Sequence, residues 1–495
     1  MPSDLSITQH SVTINGHKVS YTAITGTLTL TQETDKKDLA AEIVAEKPKA
    51  NLFFVAYVRD DIPDDQRAQR PITFSFNGGP GSSSVWMHLG LLGPRRVQMG
   101  DAGALIAPPW HLVDNEHSLL DETDLVFIDP IGTGYSRAVT GERTNEFHEF
   151  KKDIESVGDF IRLYCTRYGR WRSPKFIIGE SYGTTRAAGL SGYLQDRHGL
   201  FLNGIIFVST TLNFQTIRFA PGNDLPFVLY LPPFAAVAWF HGKLDTTLQQ
   251  SLTHTVDAAR QFANGEYAAA LMRGTTLTAA EEQALAEKIA RFIGLSADYV
   301  LRSNLRVDIT NFTKELLRSD GKTIGRLDAR FTGYDLGPTG DKINLEPSSL
   351  AYNGPYTAAI YDYVRHELKY ESDLPYEIMN MQINSNWRFH NFEGQYVDVS
   401  ETLRRVMCSN PHLKVLVCNG YYDLATPFFA AEYTFNHLYL PAALRNNVQM
   451  AYYEAGHLMY VHLPSLQKQK QDLATFLQSA IASYLPSQPQ RGEAR

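Results

Sequence analysis

The stretch Lys175 to Gly183 reads KFIIGESYG and places Ser181 between two glycines, Gly179 and Gly183. A serine hydroxyl is a weak nucleophile at neutral pH; it needs an imidazole to take its proton and a carboxylate to orient that imidazole. The pattern G-x-S-x-G is weak by itself, since Gly is about 7% of average sequence and chance supplies it in roughly one chain in ten of this length. Context strengthens it. Residues 176–178 read as a strand and those after Gly183 as a helix, so Ser181 falls at a tight strand-to-helix elbow where neighbours with a Cβ would clash. On such an elbow the partners follow in the order acid, then histidine. VLVCNGYYDLATP carries Asp423 and MAYYEAGHLMY carries His457, each just past an apolar strand-like run. Taken singly, Asp423 could be a turn-former and His457 a packing histidine. His462 is the nearest rival base, but it lacks the flexible Ala455-Gly456 approach.

These groups must be positioned by a scaffold, and the pattern along the chain describes one. SVTINGHKVSYTAITGTLTLTQ alternates β-branched and polar residues around Asn15-Gly16, the type I′ hairpin signal. NLFFVAYVRD and PITFSFNGG add strands, the second running into NGGPGSSS. From DLVFIDPIGTGYSR onward strand and helix alternate: FHEFKKDIESVGDFIRLYCTRYG has helical spacing, then come FIIGESYG, TTRAAGLSGYLQDRHG and GIIFVST. That order predicts a doubly wound, mostly parallel sheet, an α/β architecture. The alternation stops over 213–400, a helix-rich insertion containing TAAEEQALAEKIARFIG. It resumes with HLKVLVCNG, VQMAYYEAG and a closing helix. The expected organisation is therefore a core in two parts, 1–212 and 401–485, an inserted cap region at 213–400, and a disordered tail at 486–495. A chain of 495 residues requires either such an insertion or two domains.

Composition narrows the function classes. A net charge of -7 argues against a nucleic-acid partner. Three cysteines, Cys165, Cys408 and Cys418, form no disulfide framework, although one bridge is possible, and neither C-x-x-C nor H-E-x-x-H spacing is present. The longest apolar run, Val228 to Phe240, is interrupted by Pro232 and Pro233 and is too short for a bilayer, so it reads as cleft wall or core, and no membrane partner is expected. MPSDLSITQHSV has neither the basic start nor the apolar stretch of a secretory signal, which gives a cytoplasmic expectation as the sequence stands, and a periplasmic or secreted one if a signal has been removed.

NGGPGSSS, DPIGTGYS, GESYG, NGYYDLATP and EAGHLMY, in this order over nearly the whole chain, resemble the serine carboxypeptidases. The resemblance implies an α/β-hydrolase fold with a cap inserted ahead of the acid, no cofactor, no metal, and peptide substrates with a free C-terminus. It implies that Ser181 attacks, His457 is general base and then acid, and Asp423 orients the imidazole. The backbone N–H groups of Gly79 and Tyr182 would form the oxyanion hole, and Asn77, Gly78 and Glu180 would bind the substrate carboxylate. An esterase or acyltransferase on the same scaffold, or a non-catalytic peptide-binding relative, are the competing readings.

Two departures from the family pattern stand out. Ser82 occupies the position where the family usually has Cys. The segment VWMHLGLLGPRRV lacks the family's Glu-Glu pair, one member of which shares a proton with the glutamate before the serine. Glu180 is therefore expected to lack a carboxyl partner, with His88, Arg95 and Arg96 as the titratable residues nearby in sequence.

Overall fold

The computed structural model describes residues 5–34, 45–100 and 105–482. Positive φ at both Asn15 (50°) and Gly16 (80°) closes the first hairpin as a type I′ turn. It joins β1 (Ser6–Ile14) to β2 (His17–Thr34), and β2 pairs antiparallel with β3 (Ala45–Arg59). The remaining long strands of the main sheet are β4 (Ile72–Phe76), β5 (Asp124–Ile128), β6 (Lys175–Ser181), β7 (Gly204–Thr210), β8 (Lys414–Gly420) and β9 (Val448–Tyr453). They form one sheet in the order β1-β2-β3-β5-β4-β6-β7-β8-β9, with the short strand Arg137–Ala138 against β3. Every pairing from β5 to β9 is parallel.

The central strands are apolar on both faces because both faces are covered. On β6, Phe176 and Ile178 enter one hydrophobic core while Ile177 enters the other; β7 divides Ile206 and Val208 from Ile205 and Phe207 in the same way. Helices α1 (Phe150–Arg167) and α2 (Tyr182–His198) cover the second face. The insertion between β7 and β8 contributes no strand to this sheet among its described residues. It includes α3 (Leu225–Phe240), α4 (Ala279–Ile293), α5 (Pro347–Asp362) and α6 (Met381–Ser385). The last helix, α7 (Leu463–Ala482), covers the first face together with α5.

Two readings of the sequence change here. The Val228–Phe240 run is not broken at Pro232 and Pro233: both lie inside α3, which is buried in a third core with α4, so packing outweighs the helix bonds that proline removes. It belongs to that core and does not line the cleft around Ser181. The single bridge that three cysteines would allow does not form, and all three are free thiols. The expected tail at 486–495 lies outside the described residues. No described helix is long and apolar enough to cross a membrane.

Candidate active site

Ser181 is the last residue of β6 and directly precedes α2, with φ 59° and ψ −128°, a conformation unusual for a residue with a side chain. The packing explains why glycines surround it. A Cβ on Gly179 would collide with the Gly183 carbonyl, and one on Gly78 would collide with the backbone nitrogens of Tyr182 and Gly183. The NGGPG loop can therefore press against the elbow. Tyr182 is the first residue of α2, so its N–H has no partner within the helix.

Asp423 follows β8 and His457 follows β9, and the two meet: His457 Nδ1 lies 2.7 Å from Asp423 Oδ2. The carboxylate also accepts the N–H groups of Ala425 (2.8 Å) and Thr426 (3.0 Å) and the Thr426 hydroxyl (2.7 Å). It is fully buried. Burial works against protonation of His457, but the charge and hydrogen bond of Asp423 outweigh it, Glu180 adds to them and Arg326 opposes, so the imidazole titrates above its ordinary 6.5. Ser209, at positive φ (54°) on a bulge of β7, donates its hydroxyl to the His457 carbonyl at 2.6 Å. The rival His462 instead bonds Ser465 and lines a different cavity.

Ser181 and His457 open into a cleft of about 570 Å³, whose lining also includes Asn77, Gly78, Gly79 and Glu180. A cavity of about 670 Å³ lies across α6, lined by Arg137, His148 and Arg388, and holds none of the predicted site residues. Glu180 is 3% exposed. Its Oε1 accepts from Asn77 Nδ2 at 2.9 Å and its Oε2 from the Tyr460 hydroxyl at 2.7 Å. Burial raises its pKa to about 7 against the lowering effects of the His457 charge and of these two donors. The Asn77 side-chain oxygen accepts the Met87 N–H at 3.2 Å, and one amide hydrogen is left over for a ligand.

The partner of Glu180 is thus not one of the residues expected. His88 is buried against the Tyr57 hydroxyl (2.6 Å), where desolvation lowers its pKa to about 3. Arg95 pairs with Asp114 and Glu367, and Arg96 with Glu116. Tyr460 comes from the opposite side, three residues after His457. Gly90, in the segment where the family's acid would lie, makes room for it, since a Cβ there would strike the Tyr460 ring and the Tyr356 hydroxyl. Ser82, in place of the family's Cys, accepts from Trp86 Nε1 at 2.9 Å and so helps fix an indole that lines the cleft.

Other supports were invisible in the sequence pattern. Arg186 of α2, 1% exposed, donates to Asp153 of α1 (2.7 Å) and to the Asn77 carbonyl (2.6 Å), tying the NGGPG loop to the elbow helix. From the insertion, Leu327 accepts the His457 N–H at 2.6 Å and Asp328 accepts the Gly456 N–H at 3.1 Å. Asp328 is itself held by Arg330 at 2.6 Å. No spacing rule would have found these long-range partners; only Tyr460 lies inside a motif already singled out.

The geometry agrees with what comparison to known proteins finds. Over 237 residues, 46% of this chain and 46% of the relative, the sequence is 27% identical to serine carboxypeptidase-like 51 of Arabidopsis thaliana. It is 32% identical over 153 residues to the pheromone-processing carboxypeptidase KEX1 of Saccharomyces cerevisiae, covering 29% of this chain and 20% of that one. The matched segments therefore span less than half the length of these relatives. The crystal structure of the yeast KEX1 prohormone-processing carboxypeptidase superposes with a TM-score of 0.56 over 92% of this chain and 91% of that one, at 15% identity, which places the chain in the α/β-hydrolase fold. The family model for serine carboxypeptidases matches residues 42–479, a span that takes in the NGGPG loop, the elbow serine and both C-terminal loops, and the chain belongs to that family.

Proposed function

We propose that this chain removes C-terminal residues from peptides through an acyl-enzyme formed on Ser181. The observation that carries this reading is the buried pair of Glu180 and Asn77 beside the nucleophile. Attack on an ester or internal amide needs only a nucleophile, a base and an oxyanion site. A carboxyl group kept near neutrality by burial, with an amide hydrogen to spare, is instead what a substrate carboxylate requires, because a protonated acid donates where an ionised one would repel.

In this reading the substrate's terminal carboxylate is held by the Asn77 amide, the Gly78 N–H and protonated Glu180. Ser181 Oγ attacks the preceding carbonyl carbon while His457 takes its proton, and the imidazolium is stabilised by Asp423. The oxyanion points at the N–H groups of Gly79 and Tyr182, the second favoured by the helix dipole at the start of α2. His457 then gives its proton to the leaving amine, and water, activated by the same base, releases the shortened peptide. Residues 213–400 act as a cap over this site. No cofactor takes part in any step.

The test is digestion of a defined peptide mixture followed by mass spectrometry, with Ser181→Ala as control. Stepwise loss of C-terminal residues is expected. It should fall by ~10⁶-fold in Ser181→Ala, with an unchanged circular dichroism spectrum, and stop after organophosphonate labelling of the wild type. Turnover of esters and amidated peptides alone would overturn the carboxypeptidase reading in favour of an esterase or acyltransferase. Failure to react with the phosphonate would favour a binding protein.

A further inference from the structure

Arg326 is the fixed positive charge of the cleft. It is exposed, and it lines the same cavity as Ser181, His457, Trp86 and Tyr352. Its main chain is anchored at both ends: its N–H bonds Glu346 Oε1 at 2.6 Å and its carbonyl accepts the Leu424 N–H at 3.1 Å, one residue from Asp423. Its neighbour Leu327 holds the His457 backbone, so the side chain starts from a fixed point close to the base. Its charge is also felt at His457, where it opposes protonation.

No described residue forms an ion pair with the Arg326 guanidinium. The carboxylate that could have done so, Glu346, is occupied otherwise. It caps the first turn of α5 by accepting the Ser349 N–H (2.6 Å), and it takes the Ser348 hydroxyl (2.5 Å) as well as the Arg326 N–H. These donors hold it below the usual carboxylate range despite burial. The other acid of the lining, Glu180, is enclosed by Asn77 and Tyr460. A chain of net charge -7 thus presents at this cleft a guanidinium with nothing of its own to pair with.

We infer that Arg326 selects substrates carrying an acidic side chain, Asp or Glu, next to the scissile bond. This rests on the carboxypeptidase reading and deepens it by naming a substrate class. The planar fork of a guanidinium matches a carboxylate in two parallel hydrogen bonds, which a solvated surface arginine seldom gets to use against a bound peptide. Asn77, Gly78 and Glu180 already account for the terminal carboxylate, leaving Arg326 for a side chain.

The experiment compares kcat/KM on N-blocked dipeptides in which either the leaving residue or the one before it is Glu, Gln or Lys. Wild type should favour Glu over Gln by about tenfold at one of the two positions, between the values for an exposed ion pair and a hydrogen bond to a buried charge. The preference should shrink as salt is raised. Arg326→Gln should bring the Glu-to-Gln ratio to about one, and Arg326→Glu should favour Lys. Because both peptides of a pair are measured on one preparation, the ratio does not depend on how much of a variant folds. A ratio near one in wild type, or one unchanged in both variants, overturns the inference. So does an equal loss on every free-carboxylate peptide in Arg326→Gln, which would make Arg326 an anchor for the terminal carboxylate. Wild type that cleaves esters and amides but none of these peptides would end the carboxypeptidase reading itself, and the inference with it.

Discussion

Replacing Tyr460 by Phe removes a single hydroxyl, and the structure says what that hydroxyl does. It donates to Glu180 Oε2 at 2.7 Å, and this bond favours the ionised carboxylate against the burial that opposes it. A hydrogen bond to a charged group is worth ~1.5 to 3 kcal/mol, so its loss should raise the Glu180 pKa from about 7 by roughly one to two pH units. If Glu180 binds the substrate carboxylate only when protonated, kcat/KM falls as pH rises through that pKa. The alkaline limb for an N-blocked dipeptide should then move from near 7 in wild type to about 8 to 9 in Tyr460→Phe. The acid limb should move the other way. Ionised Glu180 supports the protonated form of His457, and a Glu180 that stays neutral withdraws that support, so the base becomes free at lower pH. The assay is the pair of pH profiles on a dipeptide and its C-terminal amide, for both proteins. An alkaline limb that stays in place, or one that moves equally for the amide, would refute a protonated Glu180 as the carboxylate ligand.

Three further outcomes are expected. Asn77→Ala should lower kcat/KM on free-carboxylate peptides by ~10- to 100-fold, the worth of one hydrogen bond to a charge, while sparing amidated ones; equal losses would assign Asn77 to catalysis or to the loop. Glu180→Gln should abolish the alkaline limb altogether, and a limb that persists would have to be assigned elsewhere. The same variant should show a pH-dependent gain in stability. Because the folded pKa of Glu180 is raised from 4.5 to about 7, its contribution is complete below about 4.5 and is lost as pH rises to 7, so urea denaturation at pH 8 should find Glu180→Gln favoured by up to about 3 kcal/mol relative to pH 4.

What could be read from the sequence was local. The hairpin at Asn15-Gly16, the apolar strands 175–181 and 204–210 and the elbow glycines follow from backbone geometry over a few residues, and the order of Ser181, Asp423 and His457 follows from the winding of the sheet. What could not be read was decided across hundreds of residues. Tyr460 finds Glu180 only because Gly90 leaves a hole for its ring, and no single-residue preference encodes that fit. The segment around Pro232 failed for a related reason: the penalty of proline in a helix is a local quantity, while the burial that overrides it is supplied by α4 and the 312–324 region. Arg326 gave no signal because an unpaired cation is recognisable only once every nearby acid has been assigned elsewhere.

The stitching of 326–330 onto the loops that carry Asp423 and His457 has a consequence for access. Leu327 and Asp328 hold the backbone at His457 and Gly456, Arg326 accepts from Leu424, and Ala329 donates to the Tyr422 carbonyl at 3.0 Å. Lifting the inserted region away as a rigid lid would tear these bonds and pull His457 from Asp423. Substrate entry and exit are therefore expected to leave residues 326–330 in place, so that any opening of the site falls to other parts of the insertion or to side chains at the cleft mouth.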